Sequence, residues 1–297
     1  MNPLITLIIH PFSLLITGAT GFLGKVLLEN LLFTQPKIDK IFLLIRPLNN
    51  QTIKERLDNL LESPLFNRIR CVDETRLNSP LFNRIRCVDE TRLNKLVPIS
   101  GDLKMEGIGI NEQDRTALIN QVTFVFHCAA TVKFDEALKV AIQMNVNVIG
   151  TQRLVELCQQ MPQLKAFVHA AFVHASSAYA NCNLAKTEER IYEQKVEVSK
   201  LVGTMEWMSD EMVVAIEDKL LEDRPNDRPN TYTFAKAMAE NQLSKSAKDL
   251  PVIIARPSII GAIWQEPLPG WIDNLNGATG IFARVGKGSV TFVCCFC

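Results

Sequence analysis

Apolar residues along this chain fall in short runs set apart by polar, proline-containing or glycine-containing breaks, and the runs alternate in kind. Phe12–Ile16 reads as a strand and Lys25–Leu32 as the helix that follows it. Lys40–Arg46 (KIFLLIR) is a continuous run of β-propensity residues bounded by charge and by Pro47, the pattern of a strand buried on both faces. Leu96–Leu103 (LVPISGDL) and Val122–Ala130 (VTFVFHCAA) predict strands three and four, each ending in small or polar residues. Gln152–Gln159 predicts a helix with Leu154, Val155 and Leu157 on its buried face. A fifth strand runs into Ser176–Ser177, and Tyr232–Lys236 lies on a helix-like stretch. Strands alternating with helices predict an α/β domain built on a parallel sheet.

The break between the first strand and the first helix is Thr17–Gly18–Ala19–Thr20–Gly21–Phe22–Leu23–Gly24. Three glycines spaced by three allow a sharp turn, close approach of the backbone to a pyrophosphate and tight packing of helix on strand, while the helix start offers free N–H groups. This makes Thr17, Gly18, Thr20, Gly21, Phe22, Leu23 and Gly24 candidate cofactor-binding residues in a Rossmann-like, doubly wound sheet. Arg46 ends the second strand, where an acidic residue would bind the ribose hydroxyl of NAD; an arginine there pairs with the 2′-phosphate and predicts NADPH.

With 297 residues and 47% hydrophobic content, the chain has ample material for a large core. Lys+Arg and Asp+Glu both number 32, so no basic face points to nucleic acid. The eight cysteines have no zinc spacing and read as free thiols; no metal site is expected, Cys294, Cys295 and Cys297 included. Met1–Ile16 is apolar but contains Pro3, His10 and Pro11 and lacks a basic start, so neither a signal peptide nor a membrane span is expected.

Three tandem duplications interrupt the pattern. Ser63–Asn78 repeats letter for letter as Ser79–Asn94, Ala166–Ala170 as Ala171–Ala175, and Asp223–Asn226 as Asp227–Asn230. Solenoid repeats number three or more and drift, so these copies look like misjoined exons or recent duplications. The first and third are expected in segments that can loop out. The second abuts strand five, where a five-residue shift inverts side-chain facing; pairing through Ala171–Ser177 keeps the following residues in place.

Tyr232 and Lys236 are four residues apart and so share a helix face. A tyrosine ordinarily titrates near ~10, so acid–base work near neutrality needs help, for which the neighbouring ammonium and the oxidised nicotinamide are the candidates. The Ser177 hydroxyl is placed to hydrogen-bond a substrate carbonyl. Ser177, Tyr232 and Lys236 are the candidate catalytic residues. Tyr179 is the decoy, because no lysine follows it at that spacing. His127 reads as a satisfied core residue.

The segments TGATGFLGKVLLENLL, FVHASSAYAN, NTYTFAKAMAE and ARPSIIGAIWQEPLPGWIDNLNGATG together resemble the alcohol-forming fatty acyl-CoA reductases, within the extended short-chain dehydrogenase/reductases. The resemblance covers residues 12–288, the NADP-binding reductase domain, and implies reduction of long-chain acyl-CoA to fatty alcohol by way of the aldehyde. It implies that Gly18, Gly21 and Gly24 bind pyrophosphate and that Asp102 lies by the adenine. Ala129 and Ala130 leave room for the cofactor, and Pro257 joins the cofactor-binding set. Tyr232 is then the proton donor, Lys236 its partner and Ser177, more often threonine in the family, the carbonyl-binding hydroxyl. Residues 1–11 and 289–297 do not share the resemblance. The helical C-terminal region of the family, with its membrane-anchoring segment, is expected to be missing; an intracellular place at peroxisomal or endoplasmic-reticulum membranes is implied by the family alone. The alternatives are a sugar-nucleotide epimerase or dehydratase of the same fold, or an inactive NADP-binding fragment.

Overall fold

The computed structural model describes residues 11–48, 50–70, 90–132, 137–141, 146–165, 171–194, 196–221 and 228–288. Strand β1 (Phe12–Thr17) is buried along its whole length, with Leu14 and Ile16 facing one core and Leu15 the other. Strand β2 (Ile38–Ile45) repeats this with Ile41 and Leu43 against Phe42 and Leu44. That period of two, apolar on both sides, is what a central parallel strand requires. Strands β3 (Leu96–Ser100), β4 (Val122–His127), β5 (Ala171–Ala175) and β6 (Val252–Ala255) complete a parallel sheet in the order β3-β2-β1-β4-β5-β6. The short β6 is an addition to the sequence reading.

Helices α1 (Phe22–Thr34), α2 (Ile53–Leu61) and α3 (Asn67–Arg70) join the Leu14/Ile16 core through Leu28, Leu32, Leu60 and Ile69. Helices α4 (Glu112–Gln121), α5 (Thr151–Cys158) and α6 (Pro162–Lys165) join the Leu15/Phe42 core through Leu118, Leu154 and Leu164. Beyond them, α7 (Val198–Trp207) and α8 (Asp210–Leu221) pack Leu201, Met205 and Val213 against Phe234 and Met238 of α9 (Thr231–Ser246). Among the described residues the last helix is α10 (Gly277–Gly286).

The predicted α/β sheet is present, with small shifts at its edges. Helix α1 starts at Phe22 instead of Lys25, because Gly21 already takes the extended cap conformation. Strands three and four stop at Ser100 and His127, and the small residues after them form loops at the carboxyl edge of the sheet.

The duplications are used unequally. Strand β5 is the second AFVHA copy, as register required, and the first copy lies outside the described residues. Of the sixteen-residue pair, the start of the first copy and the end of the second are described and anchored. Arg68, 6% exposed, makes an ion pair with fully buried Glu29, and Arg92 Nη1 donates to the carbonyls of Leu32 and Phe33 at 2.7 and 2.8 Å. The second DRPN copy does not loop out as expected: Arg228 is buried and donates to the Ala180 carbonyl, and the Asn230 side chain caps α9 by accepting Thr233 N–H at 3.0 Å. Residues 1–10 and the tail 289–297, with Cys294, Cys295 and Cys297, lie outside the described residues.

Candidate active site

In the order 3-2-1-4-5-6, the chain leaves β1 for one side and β4 for the other, which opens a crevice between their carboxyl ends. The predicted site residues gather along this edge. Gly18 follows β1 with a φ of +76°; a Cβ there would lie 2.6 Å from Ala129 N, so the turn after β1 and the loop after β4 touch backbone to backbone. A Cβ on Gly24 would meet the Gly18 carbonyl at 2.2 Å, so this glycine lets the helix sit down on its own turn. Gly21 is exposed, and no side chain caps the helix start at Phe22 and Leu23. The result is a cradle of backbone N–H groups suited to a pyrophosphate.

A segment from far along the chain closes one flank of the cradle. Trp271 stacks on Phe22 with ring centroids 5.7 Å apart, Asp273 pairs with Lys25 at 2.8 Å, and Glu266 pairs with Arg68 at 3.2 Å.

His127 ties the other parts of the crevice together. The Thr151 hydroxyl donates to the Asn147 carbonyl at 2.8 Å and so accepts from His127 Nε2 at 2.9 Å; His127 Nδ1 is left to accept from Thr17 Oγ1 at 2.7 Å. Thr17 Oγ1 in turn accepts Ala129 N–H at 3.3 Å. Burial pushes the His127 imidazole down to about 3, with the Lys236 charge adding to the effect, so it stays neutral. Asn147 grips Thr131 through both amide atoms. The core histidine of the sequence reading is thus satisfied, and it also fixes the turn and loop between which a cofactor would pass. Ala130 is exposed on that loop.

At the end of β2, Arg46 is exposed. The sequence reading missed Arg56, in the first turn of α2. Its guanidinium reaches back to donate to the Arg46 carbonyl, and its Nη2 lies 3.5 Å from Thr20 Oγ1. Burial, followed by the Arg46 charge, lowers Arg56. The Thr52–Glu55 capping box that starts α2 was the available signal: it sets a helix start, and so its first-turn side chains, just beyond the second strand. Asp102 sits past β3 and accepts Lys104 N–H at 3.0 Å. Pro257 follows β6 and its carbonyl accepts Ala178 N–H at 2.9 Å.

Ser177 lies two residues past the end of β5 and hydrogen-bonds Tyr232. Burial raises the Tyr232 phenol, and the Ser177 bond opposes this. Lys236, 2% exposed, donates from Nζ to the Ala175 carbonyl at 3.1 Å; burial lowers it to about 8, with the nearby Glu240 carboxylate opposing. Helix α9 thus brings Tyr232 and Lys236 to the end of β5, with the ammonium on the strand carbonyl. The lowered phenol expected from sequence is absent from this arrangement. Tyr179 is 44% exposed on the short turn after Ser177.

A family model described as Male sterility protein, an NAD-binding domain, matches residues 16–296. This chain belongs to that family. Other proteins resembling this male sterility domain include mouse Fatty acyl-CoA reductase 2, 43% identical over 93% of the chain and 48% of the mouse protein, and human Fatty acyl-CoA reductase 1, 42% identical over the same shares. The chain spans about half the length of these curated relatives. Among solved structures, a thiolation-reductase di-domain from an archaeal non-ribosomal peptide synthetase matches with a TM-score of 0.56 at 20% identity, covering 94% of this chain and 59% of that one. The terminal R domain of the myxalamid pathway matches with a TM-score of 0.53 at 20% identity, covering 85% and 50%. These likenesses establish the extended short-chain dehydrogenase/reductase fold of the male sterility domain. Among the described residues no helix is long and apolar enough to cross a membrane, and no group of three or more His, Cys, Asp or Glu could hold a metal.

Proposed function

We propose that this chain is the NADPH-binding reductase domain of an alcohol-forming fatty acyl-CoA reductase. The observation that carries the reading is the meeting of Ser177, Tyr232 and Lys236 beside the glycine cradle, in a chain 41–43% identical to proteins named Fatty acyl-CoA reductase 1 and 2. Gly18, Gly21 and Gly24 would hold the pyrophosphate, and Arg46 and Arg56 would share the 2′-phosphate next to Thr20. Two guanidinium groups this close lower each other's repulsion by taking an anion between them. Asp102, Ala129, Ala130 and Pro257 line the remaining path of the cofactor.

NADPH, when bound, supplies hydride. The rest falls to side chains of this chain. Ser177 hydrogen-bonds the thioester carbonyl oxygen and polarises it. Tyr232, protonated at neutral pH and raised further above it by burial, donates its proton to that oxygen as negative charge develops. Lys236 stays positive at pH 7 and steadies the phenolate left behind. On breaking its C–S bond the hemithioacetal would release its hydroxyl proton through Tyr232 and its sulfur as the CoA thiol, and the aldehyde would meet the same Ser177–Tyr232 pair for its reduction to alcohol, the second hydride coming from a second NADPH exchanged into the cradle.

The test follows NADPH and NADH binding by fluorescence, and acyl-CoA-dependent NADPH oxidation and alcohol formation with palmitoyl-CoA. Tyr232→Phe should abolish oxidation and leave NADPH binding nearly unchanged. Tighter binding of NADH, or full turnover in Tyr232→Phe, overturns the assignment. NADPH binding with no acyl-CoA-dependent oxidation confines this chain to the cofactor half of the reaction and moves the acyl site to the other half of its longer relatives.

A further inference from the structure

Helix α9 carries a third residue on the face of Tyr232 and Lys236: Glu240, one further turn along and 1% exposed. The three meet three consecutive residues at the end of β5. Lys236 Nζ donates to the Ala175 carbonyl at 3.1 Å, Ser176 Oγ donates to Glu240 Oε1 at 2.5 Å, and Ser177 bonds Tyr232. Arg256, the residue after β6, grips the same carboxylate with two parallel bonds, Nε to Oε1 at 2.9 Å and Nη2 to Oε2 at 2.7 Å. Its guanidinium also donates to the carbonyls of Glu188 and Arg190 at 3.2 and 2.8 Å.

We propose that Glu240 is a positioning residue of this site, locking the Ser176–Ser177 step onto α9 and supplying, shared with Arg256, the counter-charge for Lys236. The groups facing Lys236 make the case. His127 and Cys128 come from the end of β4, His174 from β5, and Tyr232 from α9 itself. Burial holds His127 at about 3 and His174 well below its usual range, and it pushes the Cys128 thiol up to about 11 and raises Tyr232. All four are uncharged at pH 7. Among the described residues that act on Lys236, this leaves the carboxylate of Glu240 as the charged one. Glu240 is too deeply buried to touch a ligand, so it acts through Lys236 and Ser176.

The inference rests on reading Lys236 as the partner of Tyr232, and its test is independent of turnover. In the full 297-residue chain with isotope-labelled lysine, the Lys236 side-chain signal, assigned by its loss in Lys236→Met, is followed by NMR as pH is raised. Glu240→Gln should move its midpoint down by about one pH unit, as loss of a close opposite charge does. Glu240→Asp, which keeps the charge, should restore most of that shift. Arg256→Gln should move the midpoint up, because the carboxylate is then no longer shared; it reads the same coupling from the other side if Glu240→Gln fails to fold. A Lys236 midpoint that ignores these replacements overturns the proposal. If Tyr232→Phe retains activity while Lys236 still follows Glu240, the catalytic reading falls and this one stands.

Discussion

Replacing Lys236 by Met measures what the fold gives up to keep an ammonium under its sheet edge. Lys236 is 2% exposed and is lowered from 10.5 to about 8, chiefly by burial. Each pH unit is ~1.36 kcal/mol, so the buried charge costs roughly 3 kcal/mol relative to the same group in the unfolded chain. The folded value lies below the unfolded one, so between about pH 8 and 10.5 the unfolded state binds more protons and this group's contribution to stability rises with pH. Below pH 8 the penalty is present in full. Cys128, pushed up to about 11, and Tyr232, raised by burial, keep their protons through most of that window. The Met variant removes the penalty but strips the Ala175 carbonyl of its donor, at about 1–3 kcal/mol, so the two proteins should differ little at pH 7. The slope is therefore the measure. Urea unfolding by circular dichroism between pH 7 and 10 should show wild type gaining roughly 2–3 kcal/mol on Lys236→Met. Parallel curves would mean that Lys236 keeps its ordinary affinity for protons and that the charge balance described around it is wrong.

Arg56→Ala should weaken NADPH by on the order of 1.5–3 kcal/mol, roughly 10- to 150-fold, and leave NADH almost unchanged, with Arg46→Ala acting in the same direction; fluorescence titration of both cofactors decides, and equal losses for the two would remove the pair from the phosphate site. Deleting one AFVHA copy should raise the melting temperature, because β5 uses a single copy and a competing register disappears; a fall would show the other copy to be built into the sheet. Deleting one sixteen-residue copy should shift stability by only ~0.6 kcal/mol, since the copy that remains supplies both the Arg68 and the Arg92 anchors; loss of folding would show that both copies are needed.

Sheet, glycine turn and the shared face of Tyr232 and Lys236 were legible because each rests on local chemistry: doubly buried strands are apolar without a break, a tight strand-to-helix turn needs glycines at fixed spacing, and a helix face repeats every four residues. Arg56 was hidden because its role depends on a helix folding back toward Arg46 across ten residues of chain. Glu240 stood at the same four-residue spacing as Tyr232 and Lys236, yet its meaning lay in Ser176 and Arg256, just past the ends of two different strands. His127 was legible as a satisfied core residue, but which hydroxyls satisfy it depends on how β1, β4 and α5 meet. The duplications misled in one place, where the second DRPN copy places Arg228 and caps α9.

The clamp of Trp271 on Phe22 and Asp273 on Lys25 joins helix α1 to a segment some 250 residues later. At about 5–20 residues per second, a ribosome needs roughly 10–50 s to travel that distance. Throughout that time the glycine cradle has emerged without its far flank, and for a little under the first half of it β1, central to the sheet, waits for β4 to cover its second edge. The nascent chain thus presents a strand that ends up buried at every position long before it can close around it, which makes this a protein whose yield should depend on what holds the chain during synthesis.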